Sequence, residues 1–147
     1  MPIAITPNET WRFQLEDDYL EKPERDPSGK VTKPGKPDPN GTWWKLRALP
    51  AWVHAQVQDL IQFELRSDGQ LVHANRGTIM RLVLEHGVAG VEQWKDAQGH
   101  DVPFRMRTAN GRDVADLSFL DYLKPAHQVE LSNAVELRQK VTIEESD

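Results

Sequence analysis

At 147 residues with no cysteine, the chain fits one domain, residues 1–147, that folds on its own core without disulfides, thiolate nucleophiles or cysteine-ligated zinc. Its formal net charge of −5 argues against direct nucleic-acid binding, because phosphate affinity comes from clustered Lys and Arg, although a small basic patch can sit within an acidic whole. No basic region followed by an apolar run opens the sequence and no apolar run approaches about 18 residues, so a soluble intracellular protein away from the membrane is expected.

The first predicted element is a half-buried strand over Thr10–Glu16, where Trp11, Phe13 and Leu15 alternate with Arg12, Gln14 and Glu16. Thr42–Ala48 repeats the pattern, with Trp44, Leu46 and Ala48 on one side and Trp43, Lys45 and Arg47 on the other. The two strands are expected to pair as antiparallel neighbours. Between them, residues 17–41 hold five of the ten prolines and only Tyr19, Leu20 and Val31 as large apolar side chains. Such a segment cannot build a core of its own and reads as a flexible or extended Pro-rich arm, long enough to lie over a neighbouring subunit.

Pro50 suits a helix's first turn, where its missing N–H costs nothing. Val53, Val57, Leu60, Ile61 and Glu64 or Leu65 then keep helical spacing to Arg66, and the Ser67-Asp68-Gly69-Gln70 run ends the helix. Trp52 and Phe63 lie off the main stripe and offer a second contact face. The next helix starts between Gln70 and Thr78 with Asn75 or Thr78 as cap, buries Ile79, Met80, Val83 and Leu84, and closes at Gly87. Residues 91–96 and 100–107 flank Ala97, Gln98 and Gly99 and read as a hairpin, with Pro103 confining its strand to an edge. A short helical turn follows at Ser118–Asp121. The closing helix runs from Pro125 to about Lys140, with Val129, Leu131, Ala134, Val135 and Leu137 for contacts. The fold class is therefore α+β, a small antiparallel sheet packed against about three helices, with the long arm between the first two strands.

Residues that carry chemistry are scattered. His54, His73, His86, His100 and His127 belong to no ligand motif, and Glu92, Asp96, His100 and Asp101 have the composition of a polar turn. The serines lack a nucleophile elbow, no phosphate-binding loop exists, and no motif pairs carboxylates across a substrate. No catalytic residue, cofactor or metal is expected, and the protein reads as a non-enzyme. Interaction candidates are Trp43, which faces outward if Trp44 faces the core, Trp52 on the helix's second face, and Leu137, Val141 and Ile143, which are spaced to cap the domain or dock on a partner.

The stretch Gly90–Phe104, GVEQWKDAQGHDVPF, joins two helical regions through a lone aromatic, an Asp-x-x-Gly turn and a Pro-Phe exit. Ile5-x-Pro7-x-x-Thr10 leads into the first strand, Leu46-Arg47-Ala48-Leu49-Pro50 carries the second into a helix, and Thr142-x-Glu144-Glu145 follows the closing helix. In this order of motifs the chain resembles the small morphogenesis proteins of long-tailed bacteriophages, described as tail assembly chaperones or as minor virion proteins. The 17–41 arm is longer, and the helix entry richer in proline, than that family's pattern. The resemblance implies a tail assembly chaperone-like protein that binds phage structural proteins, acts in the host cytoplasm during assembly, and supplies no catalytic residues. The alternatives are a structural component of the virion, such as a capsid, connector or tail accessory protein that forms homo-oligomers, and a host regulatory or binding module.

Overall fold

The computed structural model describes residues 9–146, and for His73 and residues 139–146 the backbone alone. The elements in chain order are β1 (Thr10–Phe13), β2 (Glu24–Arg25), β3 (Val31–Lys33), β4 (Trp43–Arg47), α1 (Ala51–Leu60), β5 (Phe63–Leu65), β6 (Leu71–His73), α2 (Arg76–Gly87), β7 (Val88–Glu92), β8 (Met106–Ala109), β9 (Arg112–Ala115) and α3 (Pro125–Ser146), with short 3-10 helices at Glu16–Asp18 and Leu117–Tyr122. This is the expected α+β arrangement of a small antiparallel sheet and three helices.

The sheet has the order β1-β4-β7, antiparallel throughout. Trp11 pairs with Leu46 and Phe13 with Trp44, while Trp44 pairs with Val91 and Leu46 with Val88. Because cross-strand partners share a face, one side of the sheet is apolar and packs on the helices. Trp44, Leu46, Val53, Val83, Leu84, Val88, Phe119, Leu131 and Val135 are fully shielded there. Trp44 lies 4.9 Å from Trp94 and 5.9 Å from Phe119 between ring centroids, and Phe104 lies 5.2 Å from Phe119. This aromatic cluster joins the sheet to the loop after β7 and to the second 3-10 helix. Gly87 lets α2 approach α3, since a Cβ there would meet both Val135 methyls at 2.8 Å.

The extended or flexible arm expected over residues 17–41 carries regular structure. They fold back as the β2–β3 hairpin, turned at Asp26–Lys30, with Glu21 and Lys36 exchanging backbone hydrogen bonds below it. Every proline of the segment lies outside the paired positions, so none removes a ladder donor. The base is pinned by Gln14, only 2% exposed, whose amide donates to the Asp38 carbonyl at 2.9 Å and accepts from the Asp38 N–H at 2.7 Å. Asp17 joins Lys22 at 2.7 Å and His127 of α3 at 2.6 Å.

Other boundaries shift as well: β1 stops at Phe13 instead of Glu16, and α3 continues past Lys140 to Ser146. The first helix ends at Leu60, not Arg66, because Gln62-Phe63-Glu64-Leu65 also alternates with a period of two and Gly69, at φ 84°, closes a hairpin turn. The expected hairpin over residues 91–107 reduces to a single bridge, Lys95 with Asp101, because β7 pairs with β4 instead. The true hairpin is β8–β9, turned at Asn110 and Gly111 with φ of 53° and 75°. Both positive values are what a two-residue type I′ turn requires.

Candidate functional site

The most exposed apolar surface is the β5–β6 ribbon between α1 and α2. Phe63 pairs with His73 and Leu65 with Leu71, which puts Phe63, Leu65 and Leu71 on one face. Their exposures are 62%, 72% and 67%, and Ile61 at the root is 40% exposed. All residues from 61 to 71 are exposed. The ribbon is tied at its root, where the Ala74 N–H donates to the Gln62 carbonyl at 2.8 Å and the Asn75 side chain donates to the Leu60 carbonyl at 2.8 Å. Its tip is fixed by Asp68, which accepts from the Gln70 N–H at 3.0 Å, and by the Arg66 to Gln70 backbone pair. With root and tip tied by these hydrogen bonds, the apolar face stands open to water, where burial against a partner is favourable by roughly 25 cal/mol per Å².

The residues expected to form an interaction site are dispersed. Trp43 is half-buried. Its indole N–H donates to the Asp38 carbonyl at 2.9 Å, and the Arg12 guanidinium lies 4.3 Å from the ring centroid. Partners within the same molecule therefore cover much of it. Trp52 is 47% exposed and stands edge-on to His86 at 5.3 Å. Leu137 is 65% exposed on α3. The backbone at Val141 and Ile143 continues α3, and their side chains lie outside the described residues. Leu65 and Leu71 are hidden from sequence reasoning because Leu65 fits the stripe of the first helix and Leu71 falls within the range, Gln70 to Thr78, where the second helix is expected to start. The alternation at 62–65 with a Gly turn at 69 was the signal for them.

A groove of about 250 Å³ between α2 and α3 is lined by Arg76, Ile79, Met80, Val129, Ser132 and Glu136. At the polar turn, Asp96 accepts from the Gln98 and His100 N–H groups and Lys95 pairs with Asp101, while Glu92 faces Arg12 and Lys45. Among the described residues no three metal-ligating side chains converge, and no helix is long and apolar enough to cross a membrane.

No family model, curated protein or solved structure matches the chain.

Proposed function

We propose that this chain is a non-enzymatic bacteriophage morphogenesis protein of the tail assembly chaperone kind, which binds a phage structural protein through the apolar face of β5–β6. The observation that carries the binding reading is the ribbon itself, since a two-stranded hairpin with three large apolar side chains facing water is unusual without a partner. The order of sequence motifs supports the phage setting. Residues 61–71 are about half of the roughly 20–30 residues a side that a stable interface uses. A contact of that size suits capture and release better than permanent attachment.

Two measurements test the reading. Quantitative mass spectrometry of infected-cell lysate and purified particles should find the protein abundant in lysate and missing from particles; stoichiometric recovery in particles would replace the chaperone with a structural component. Normal phage yield after deletion of the gene would remove the morphogenesis role altogether. In pull-downs from the same lysate, Leu65→Ser with Leu71→Ser should lose the bound tail protein while the thermal midpoint stays within about 2 °C, because surface changes of this kind shift stability by about 0.5 kcal/mol or less.

A further inference from the structure

At the end of β4, Arg47 points away from the apolar face yet is only 6% exposed. Its Nε donates to the His86 carbonyl at 3.0 Å, and a terminal nitrogen donates to the Asp113 carbonyl. Arg112, which opens β9, reaches the same His86 carbonyl at 3.5 Å, and its Nε is buried without a hydrogen-bond partner among the described residues. Two guanidiniums thus meet at the C-terminal end of α2. Burial, and then the neighbouring Arg112 charge, lower the pKa of Arg47, and burial lowers that of Arg112.

The helix end accounts for part of this arrangement. Its carbonyls carry about half an elementary negative charge, which two guanidiniums exceed. Neither arginine takes part in an ion pair among the described residues. Asp113 favours the Arg47 charge from a distance while its carboxylate accepts from the Thr108 hydroxyl at 3.2 Å, and Glu85 is held by Arg107 at 2.8 Å. Beside the pair lies a cleft of about 670 Å³ lined by Thr10, Arg47, Ala89, Met106, Arg112 and Asp113. An excess of positive charge therefore lines one cleft of a chain whose net charge is −5.

We infer that this cleft binds a carboxylate presented by an acidic side chain of a protein partner. Planar guanidiniums pair well with planar carboxylates, and the Asp113 charge at the rim disfavours a dianion. A polyanion would need a run of free cations, but Arg12 and Lys45 on the same sheet face already share Glu92. The inference stands on the cleft alone and does not depend on the phage reading.

NMR of the ¹⁵N-labelled protein, following the arginine Nε–H signals, gives the test. Tetraglutamate peptide with an amidated C-terminus should shift the Arg47 and Arg112 signals saturably, and tetraglutamine amidated in the same way should not at matched ionic strength. Arg112→Gln should weaken tetraglutamate binding at least tenfold. Should that change disturb β9, Asp113→Asn provides a second variant with the opposite expectation: binding tightens as the rim loses its negative charge. Shifts that follow ionic strength without saturating, or equal affinity in all three proteins, would overturn the proposal. Tighter binding of inorganic phosphate than of tetraglutamate would overturn the assignment to carboxylate.

Discussion

His86 is 3% exposed at the end of α2, with Nδ1 lacking a hydrogen-bond partner among the described residues and Nε2 4.0 Å from Glu85. Burial first, and then Arg112, Arg47 and Arg107, push its pKa down to about 4. An unfolded histidine titrates near 6.5, so between about 6.5 and 4 the unfolded chain binds more protons than the fold. Its contribution is therefore intact above pH 6.5 and lost progressively toward pH 4, by up to about 3 kcal/mol. The difference between urea midpoints at pH 7.5 and pH 5 should shrink in His86→Leu, and an unchanged difference would show that His86 is not the group responsible. One residue on, Gly87→Ala would drive a Cβ into both Val135 methyls at 2.8 Å. Overpacking of a β-branched neighbour costs about 1–3 kcal/mol, which calorimetry would register as a lowered melting temperature; an unaltered melt would mean that α2 and α3 can separate freely.

Among the elements, the hairpins explain where sequence reasoning succeeded and where it did not. Asp26–Lys30, Arg66–Gln70 and Asp96–His100 close with the same backbone hydrogen bonds and with Gly29, Gly69 and Gly99 at φ of 89°, 84° and 83°. A glycine in this conformation ends a helix as readily as it turns a hairpin. Locally, therefore, Gly69 was as compatible with a helix through Leu65 as with the observed ribbon. Asn110-Gly111 is a two-residue type I′ signal between Met106 and Ala115, and it outweighs the Asp-x-x-Gly turn of the aromatic stretch before it. In 17–41, composition described the lack of a core correctly but could not reveal Gln14, 24 residues from Asp38, as the pin at the base. Replacing Glu24–Lys33 with a short linker should leave the core's denaturation midpoint unchanged, whereas Gln14→Leu should cost about 1–3 kcal/mol by stranding the Asp38 N–H and carbonyl. Equal effects of the two changes would place the hairpin's attachment elsewhere.

At the scale of the whole molecule, the strand pair β1–β4, the inward Trp44 and Leu46, and the α3 stripe of Leu131 and Val135 were legible because burial imposes simple periods on each segment. The surfaces proposed for binding were not. Phe63, Leu65 and Leu71 contradict burial by facing water, and Arg47 and Arg112, 65 positions apart in sequence, meet only because β4 and β9 both reach the end of α2. These surfaces differ in chemistry, one apolar and one cationic. Binding through the ribbon should persist in high salt while binding at the arginine cleft fades. Salt-dependent titrations of Leu65→Ser and Arg112→Gln would separate them, and identical salt dependence would point to a single shared surface.

The Trp44 and Trp94 rings, 4.9 Å apart and inclined at 57°, also give the core an optical signature. Two indoles held this close and at a fixed angle couple their electronic transitions, so folding should imprint a paired signal of opposite sign on the circular dichroism spectrum. That signal depends on the sheet and the loop after β7 being docked together. The protein consequently carries an intrinsic, label-free reporter of its own closure, and loss of the paired signal before loss of helical dichroism would expose the loop as the first part to detach.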